Sequence, residues 1–340
     1  MNPFTYSSPT DLPSVLDLLG KQWGKTEILA GGTDLLALLK DDIVAPSQLV
    51  NIKKVGDLHS LAVDANKGLQ AGCLITLDEL AREDRVTKLY PALAMALNDA
   101  ASPQIRNMAT LGGNLCQRPR CWYFRNGYGL LALDTNGKSL VLKGDNRYHA
   151  ILGNTGPAYF VSPSTIAPVL VALGANIDIA GPKGSRSIQL EEFYKIPQKQ
   201  GEREHDLVSN EIVIRLKLKP PATGSSTSYY EVRQKHGFDW PVATATVSFQ
   251  KERDIVTAAS VVLGHVAPVP WRSKEAEAAL IGKAIDEQVA SDASNAALQP
   301  ARNLGQNGYK IPVARVALKR AILEAAGVQV PSVHPRGVRS

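Results

Sequence analysis

The chain has 340 residues and 36.5 kDa, enough to bury a full core and, by the usual domain size, to divide into two domains. Its 44% hydrophobic and 21% charged residues are ordinary for a soluble protein, and no apolar run reaches the about 20 residues needed to cross a bilayer. The net charge of +6 does not read as a nucleic-acid footprint, because Lys and Arg are scattered outside "QRPRCWYFR" and "HPRGVRS" and aromatics are only 6%. It suits instead an acidic partner subunit or an anionic cofactor.

The opening "MNPFTYSSPTDLPS" shows no basic segment leading into an apolar core, so the expected compartment is the cytoplasm, with export beside a signal-bearing partner left open. "TDLPSVLDLLGK" predicts an amphipathic helix with Thr10 as N-cap and Gly20 near its end. A short strand over Glu27–Ala30 then meets a Gly-Gly-Thr-Asp turn and a leucine-rich helix. "LVNIKK" and "GLQAGCLIT" read as strands, Thr76 and Glu79 as a capping box, and "YPALAMALNDAAS" as a helix ended by Pro103. The passage from Asn126 to Phe160 is polar and glycine-rich, with hairpin-like turns at Asn136-Gly137 and Gly144-Asp145.

Farther on, "SPSTIAPVLVALGA" predicts a capped helix and "NIDIAGPKGSRSIQL" a hairpin. In "NEIVIRLKL", Ile212, Ile214, Leu216 and Leu218 share one face and Arg215 and Lys217 the other. "KPPATGSSTS", residues 219–228, is the linker candidate. Three strands follow in "YYEVRQKH", "VATATVSFQ" and "IVTAASVVLGHV", turning at "KERD". The helices "SKEAEAALIGKAI" and "IPVARVALKRAILEAAG" come next, the second closed by Gly327. The final dozen residues form a basic tail expected to be poorly ordered. No internal repeat is visible, and strands followed by helices argue for an α+β architecture.

Two glycine pairs carry the chemistry. In "ILAGGTDLL", Gly31 and Gly32 lack a Cβ and let a ligand touch the backbone. The N–H groups that open the next helix suit an anion such as a pyrophosphate, Thr33 adds a hydroxyl, and Asp34 can cap the helix. A plain tight turn with a cap explains the same residues. The second pair, Gly112 and Gly113 in "SPQIRNMATLGGNL", is flanked by Thr110 and Asn114 and shifts the balance toward a long ligand held at both turns. Neither loop is G-x-G-x-x-G or a Walker loop.

With both motifs in place, the chain resembles the FAD-binding medium subunit of the molybdenum hydroxylases, the xanthine dehydrogenase, carbon monoxide dehydrogenase and aldehyde oxidoreductase group. The resemblance extends through "NEIVIRLKL" and "SVVLGHVAPVPWRSKEAEAAL". It implies a two-part FAD-binding domain of the vanillyl-alcohol-oxidase (PCMH) type over residues 1–222, with an insertion at about 116–150. A small α+β domain at 225–328 and the tail at 329–340 would follow. By that resemblance Ile28, Leu29, Ala30, Gly31, Gly32, Thr33 and Asp34 wrap the FAD pyrophosphate with Ala109, Thr110, Gly112, Gly113 and Asn114. Gln104, Ile105, Arg106 and Asn107 lead into the second loop. Thr165 in "SPSTIAP" also belongs to the expected cofactor-binding set, although it departs from the family pattern by standing where an acid is common, as Glu231 in "YYEVRQK" does where a lysine is common near the flavin.

The stretch "CQRPRCWYFRNGYG" looks like the start of an insertion that binds a [4Fe–4S] cluster in some relatives. A cubane needs four thiolates, and Cys116 and Cys121 stand alone here, with Cys73 in a distant strand and His149 as a conceivable third ligand. No cluster is therefore expected on this chain. The expectation is an interaction loop with Cys116 and Cys121 as small buried thiols and Arg118, Arg120 and Arg125 as surface or interface charges. His236, Asp239 and Trp240 read as a strand-end turn or as residues near a flavin edge. Trp122, Tyr123 and Tyr128 read as interface anchors or ring-stacking groups. No metal spacing or nucleophile elbow occurs.

The functional expectation is an electron-transfer subunit that carries FAD. Partners implied by resemblance are a small subunit with [2Fe–2S] clusters and a large subunit with the molybdenum cofactor, beside a terminal electron acceptor. A stand-alone flavin oxidase and a non-catalytic assembly subunit with a decayed flavin site are the alternatives.

Overall fold

The computed structural model describes residues 1–234 and 239–330. Its first layer is a three-stranded sheet of β1 (Thr5–Ser7), β2 (Thr26–Leu29) and β3 (Gln48–Asn51), ordered β1-β3-β2 with both pairings parallel. Parallel neighbours need crossovers, supplied here by the helices Leu12–Leu18 and Leu35–Lys40. The N-cap of the first helix is Asp11, one residue later than the sequence suggested. Its extended backbone lets the carboxylate accept the Ser14 N–H at 2.9 Å, which Thr10 is one position too early to do. That helix ends at Leu18, before Gly20.

The second layer is a five-stranded antiparallel sheet. Its strands are β4 (Leu61–Asp64), β5 (Gly68–Gly72), β6 (Asn176–Gly181), β7 (Gly184–Gln189) and β8 (Ile212–Leu218), in the order β4-β5-β8-β6-β7. The predicted alternation of β8 breaks at a bulge: Asp178 pairs with Arg215 and Ile179 with Val213, leaving Ile214 as the extra residue. The phase flips there, so Val213 is buried and Ile214 only half-buried, while its carbonyl accepts the Cys73 N–H at 3.0 Å. Helices Leu77–Arg82, Pro91–Asp99 and Ala167–Ala172 supply apolar faces to the core of this half. The Thr76–Glu79 capping box is present with both reciprocal bonds. Pro103 does not end the long helix. The chain breaks at Ala101, with φ 50°, and Pro103 opens a short helix, Pro103–Arg106, capped by Ser102.

Residues 225–330 contain β9 (Ser225–Val232), β10 (Ala243–Glu252), β11 (Ile255–Gly264) and β12 (Trp271–Arg272), an antiparallel sheet ordered β12-β11-β10-β9. Helices Lys274–Leu280, Glu287–Leu298 and Lys310–Ala326 pack on it, and Phe249, Val261, Leu263, Ala293, Ala297, Leu318 and Ile322 form their shared core. The middle helix went unpredicted, although Ala290, Ala293 and Ala297 form a buried stripe at helical spacing behind the Asp286 cap. The linker is shorter than its composition suggested, because Ser225 to Ser228 already pair with β10.

The insertion holds two short helices, Trp122–Arg125 and Leu140–Lys143. Asn136-Gly137 is a turn whose Asp134 carboxylate receives the N–H groups of Asn136 and Lys138. Gly144-Asp145 is not a hairpin; the Gly144 N–H closes the second short helix on the Leu140 carbonyl. No helix among the described residues is long and apolar enough to cross a membrane. His236 and the tail from residue 331 lie outside the described residues.

Candidate functional site

The two glycine loops meet. A Cβ on Gly31 would overlap the Met108 carbonyl, and one on Gly112 would lie 2.7 Å from the Cys73 Cβ, so the bare backbones are what allow the approach. Gly32, at φ 77°, makes the reversal from β2 into the helix Leu35–Lys40. The second loop is tied to the strand region beside it: Leu77 N–H donates to the Ala109 carbonyl at 2.9 Å, and Leu111 N–H to that of Ile75 at 2.8 Å.

Alongside the first loop runs a cleft of about 180 Å³. From the predicted set, Ile28, Ala30, Gly31, Gly32, Thr33, Asp34, Thr110, Gly112 and Gly113 line it, with Trp23, Glu27, Arg118, Arg203 and His205 among the others. Leu29, Ala109 and Asn114 support the loops from outside the lining. The short helix carries Gln104 and Ile105, with Asn107 just beyond it. These three are exposed, and the Arg106 guanidinium turns back onto the carbonyls of Ala100 and Ala101. Thr165 is buried beside Ser164, whose hydroxyl donates to Asn114 Oδ1 at 2.6 Å, and it does not reach the cleft lining.

The two loops differ in what they offer. Among the described residues, nothing accepts the N–H groups of Gly31, Gly32, Thr33 and Asp34. In the second loop, by contrast, Gly112 donates to the Cys73 carbonyl, Gly113 to Thr110 Oγ1 and Asn114 to the Thr110 carbonyl. The first loop is thus the donor set and the second its buttress. Successive open amides on a cleft wall match the oxygens of a diphosphate, so the residues present fit the phosphate part of FAD.

Asp34 does not cap its helix. Its Oδ2 accepts the Arg118 N–H at 2.8 Å, and its Oδ1 pairs with Arg125 at 2.8 Å and Arg120 at 3.0 Å. Arg118 pairs through its side chain with the buried Glu204. These arginines are therefore half-buried ion-pair partners, which goes against the first of the two readings, surface or interface charges. The Arg203 guanidinium lies 4.1 Å from the Trp23 ring. Burial pushes the Glu27 carboxyl up, against the pull of Arg203 and Arg118. His205 stacks on Phe193, and burial lowers it to about 4.

Of the thiols, Cys73 and Cys116 line the cleft, while Cys121 lies within the insertion. Burial pushes Cys116 up to about 12 and raises Cys121, whose Sγ lies 3.1 Å from His149 Nε2. Among the described residues no group of three or more His, Cys, Asp or Glu is placed to hold a metal ion. Trp122 packs edge-on against Tyr148 and His149 within the insertion, and Tyr128 is exposed. Trp240 lies under the Arg120 guanidinium at 4.7 Å. Trp23, Glu27 and Arg203 escaped the sequence reading because no motif marks them. The charge-dense "GEREHD" was the one available signal for Arg203 and His205.

Residues 2–218 match the family model described as the FAD binding domain in molybdopterin dehydrogenase, and residues 228–325 match the CO dehydrogenase flavoprotein C-terminal domain. The chain belongs to this family. It is an FAD-binding oxidoreductase component. The aldehyde oxidoreductase FAD-binding subunit PaoB of Escherichia coli (strain K12) is 32% identical over 335 residues, covering 96% of this chain and 99% of that one. Among solved structures, quinoline 2-oxidoreductase from Pseudomonas putida 86 is similar with a TM-score of 0.73 at 25% identity, over 96% of this chain and 98% of that chain. Carbon monoxide dehydrogenase from Hydrogenophaga pseudoflava gives 0.74 at 25% identity with the same coverage. Both family matches agree with an α+β fold of an FAD-binding domain followed by a smaller C-terminal domain.

Proposed function

We propose that this chain is the FAD-carrying electron-transfer subunit of a multi-subunit molybdenum hydroxylase. Electrons would arrive from [2Fe–2S] clusters on a small partner subunit, after substrate oxidation at the molybdenum cofactor of a large one, and leave to a terminal acceptor. The observation that carries this reading is the row of open amides at Gly31–Asp34 on the cleft wall, in a chain that aligns end to end with an FAD-binding subunit.

In this reading residues 1–222 hold the cofactor and 225–328 form the second domain. The amides of Gly31, Gly32, Thr33 and Asp34 take the diphosphate oxygens, and the Thr33 hydroxyl adds a donor. Thr110, Gly112 and Gly113 form the opposing wall and keep water from that side. Gln104–Asn107 and Ala109 set the approach of the second loop. Asn114, held by Ser164 next to Thr165, stiffens its far end. When bound, FAD supplies the ability to accept and release electrons singly or in pairs, and the protein's part is to bind and orient it.

The test is purification of the chain alone and then with its partners. The chain alone is expected to take up one FAD, with absorbance near about 450 nm as for the free cofactor, and to stay oxidised with aldehydes, alcohols or purines. The assembled complex is expected to contain molybdenum, iron and FAD. A colourless chain that ignores added FAD defeats the reading. Direct reduction of the isolated chain by a substrate would instead make it a self-sufficient oxidase.

A further inference from the structure

Asp34 lies at the end of the open-amide loop, yet the bonds of its carboxylate run to Arg118 and Arg125 in the insertion, 84 and 91 positions along the chain. Arg125 also donates through Nε to the Pro119 carbonyl at 2.9 Å and through its NH2 group to the Arg118 carbonyl at 3.1 Å. One guanidinium therefore folds the start of the insertion and joins it to the glycine loop. Charge-assisted bonds of this kind, half-buried and partly shared, hold geometry better than exposed pairs do.

The guanidinium groups of Arg118, Arg120, Arg125 and Arg203 stand near the carboxyls of Glu27, Asp34 and Glu204. Burial pushes the Glu27 carboxyl up, and Glu211, also on the lining, pairs with Arg186.

We propose that Arg120 and Arg125 are positioning residues for the cofactor: by holding Asp34 they fix the Gly31–Asp34 amides in their donating orientation and bring two guanidinium charges to the end of that loop. The insertion, on this view, sets how tightly the chain holds FAD. This rests on the FAD-binding reading above.

The test uses the full-length chain and compares wild type with Arg125→Gln, Arg125→Lys, Arg120→Gln and the double glutamine variant. FAD is titrated at low and high salt, with circular dichroism and thermal melting to verify folding. The double variant is expected to bind FAD at least about tenfold more weakly and with a shallower salt dependence, because two fixed charges are gone. Arg125→Lys is expected to fall between, keeping the charge but losing the forked donor set. A general loss of packing would not restore affinity with lysine or change the salt slope. If wild type binds FAD and the folded double variant binds within twofold of it with an unchanged salt slope, the positioning role is wrong while the FAD reading stands. If wild type itself does not bind FAD, both fall. Should the double variant or Arg125→Gln fail to fold, Arg120→Gln decides by the same criterion, scaled to one charge: about threefold weaker binding supports the role and unchanged binding overturns it.

Discussion

At the scale of single residues, Gly31 decides whether the cleft has a second wall. Its missing Cβ is the space into which the Met108 carbonyl fits, and no rotamer change can relieve an overlap with backbone. Gly31→Ala should therefore push the two loops apart, lowering stability by roughly 2–4 kcal/mol and weakening FAD binding by more than about tenfold. Gly56→Ala, at a position with open space and no positive φ, is the matched control, and it should stay within about 0.5 kcal/mol of wild type. Urea unfolding and FAD titration check both. A wild-type Gly31→Ala protein would contradict the apposition of the loops.

At the scale of elements, the insertion is stitched at its far end to the segment leading into the last helix. Asn146 donates to the carbonyls of Val141 and Leu304, Asn154 to those of Ala150 and Arg302, and Asn307 to those of His149 and Ala150. At the centre, the buried Lys310 ammonium faces the carbonyls of His265 at 2.7 Å, Tyr148 at 3.2 Å and His149 at 3.3 Å. Burial lowers Lys310 to about 7. Lys310→Met would leave the His265 and Tyr148 carbonyls without this donor, the His149 carbonyl keeping Asn307, at a cost of roughly 1–3 kcal/mol. Hydrogen exchange should then speed up over residues 146–154 and 302–310 while the five-stranded sheet keeps its protection. Uniform exchange in the variant would show that the stitch is not local.

At the scale of the whole molecule, three buried imidazoles make stability depend on acid. Burial lowers His149 and His205 to about 4 and His265 to about 3, against 6.5 for an exposed side chain. Well above pH 6.5 these groups are neutral in both states and contribute nothing to the pH dependence. As pH falls from 6.5 toward 4, the unfolded chain takes up protons that the native state refuses, so stability declines through that window. The loss should total several kcal/mol, on the order of 3 per imidazole at most. Urea midpoints measured from pH 7.5 to 4.5 check the slope, and His205→Gln should flatten it. Stability that held constant to pH 4.5 would mean that these rings are not buried as neutral groups.

The sequence by itself determined most local elements and the family, though not the helix Glu287–Leu298 or the Asp11 cap. Gly31-Gly32 and Gly112-Gly113 mark places where only a bare backbone fits, the Thr76–Glu79 box states its own hydrogen bonds, and alternation in β8 marks a half-buried strand. These signals are short-range, so they survive in one dimension. What the tertiary structure decided is long-range. The bulge at Ile214 depends on the partner strand, and the capture of Asp34 by Arg118, Arg120 and Arg125 depends on a contact across the chain. The division of labour between the loops is only partly long-range: Gly112 bonds across the fold to Cys73, while Gly113 and Asn114 bond to Thr110 within their own loop. A carboxylate or an amide looks the same in the sequence whether its partner is water, a ligand or a distant arginine; folding alone chooses among them.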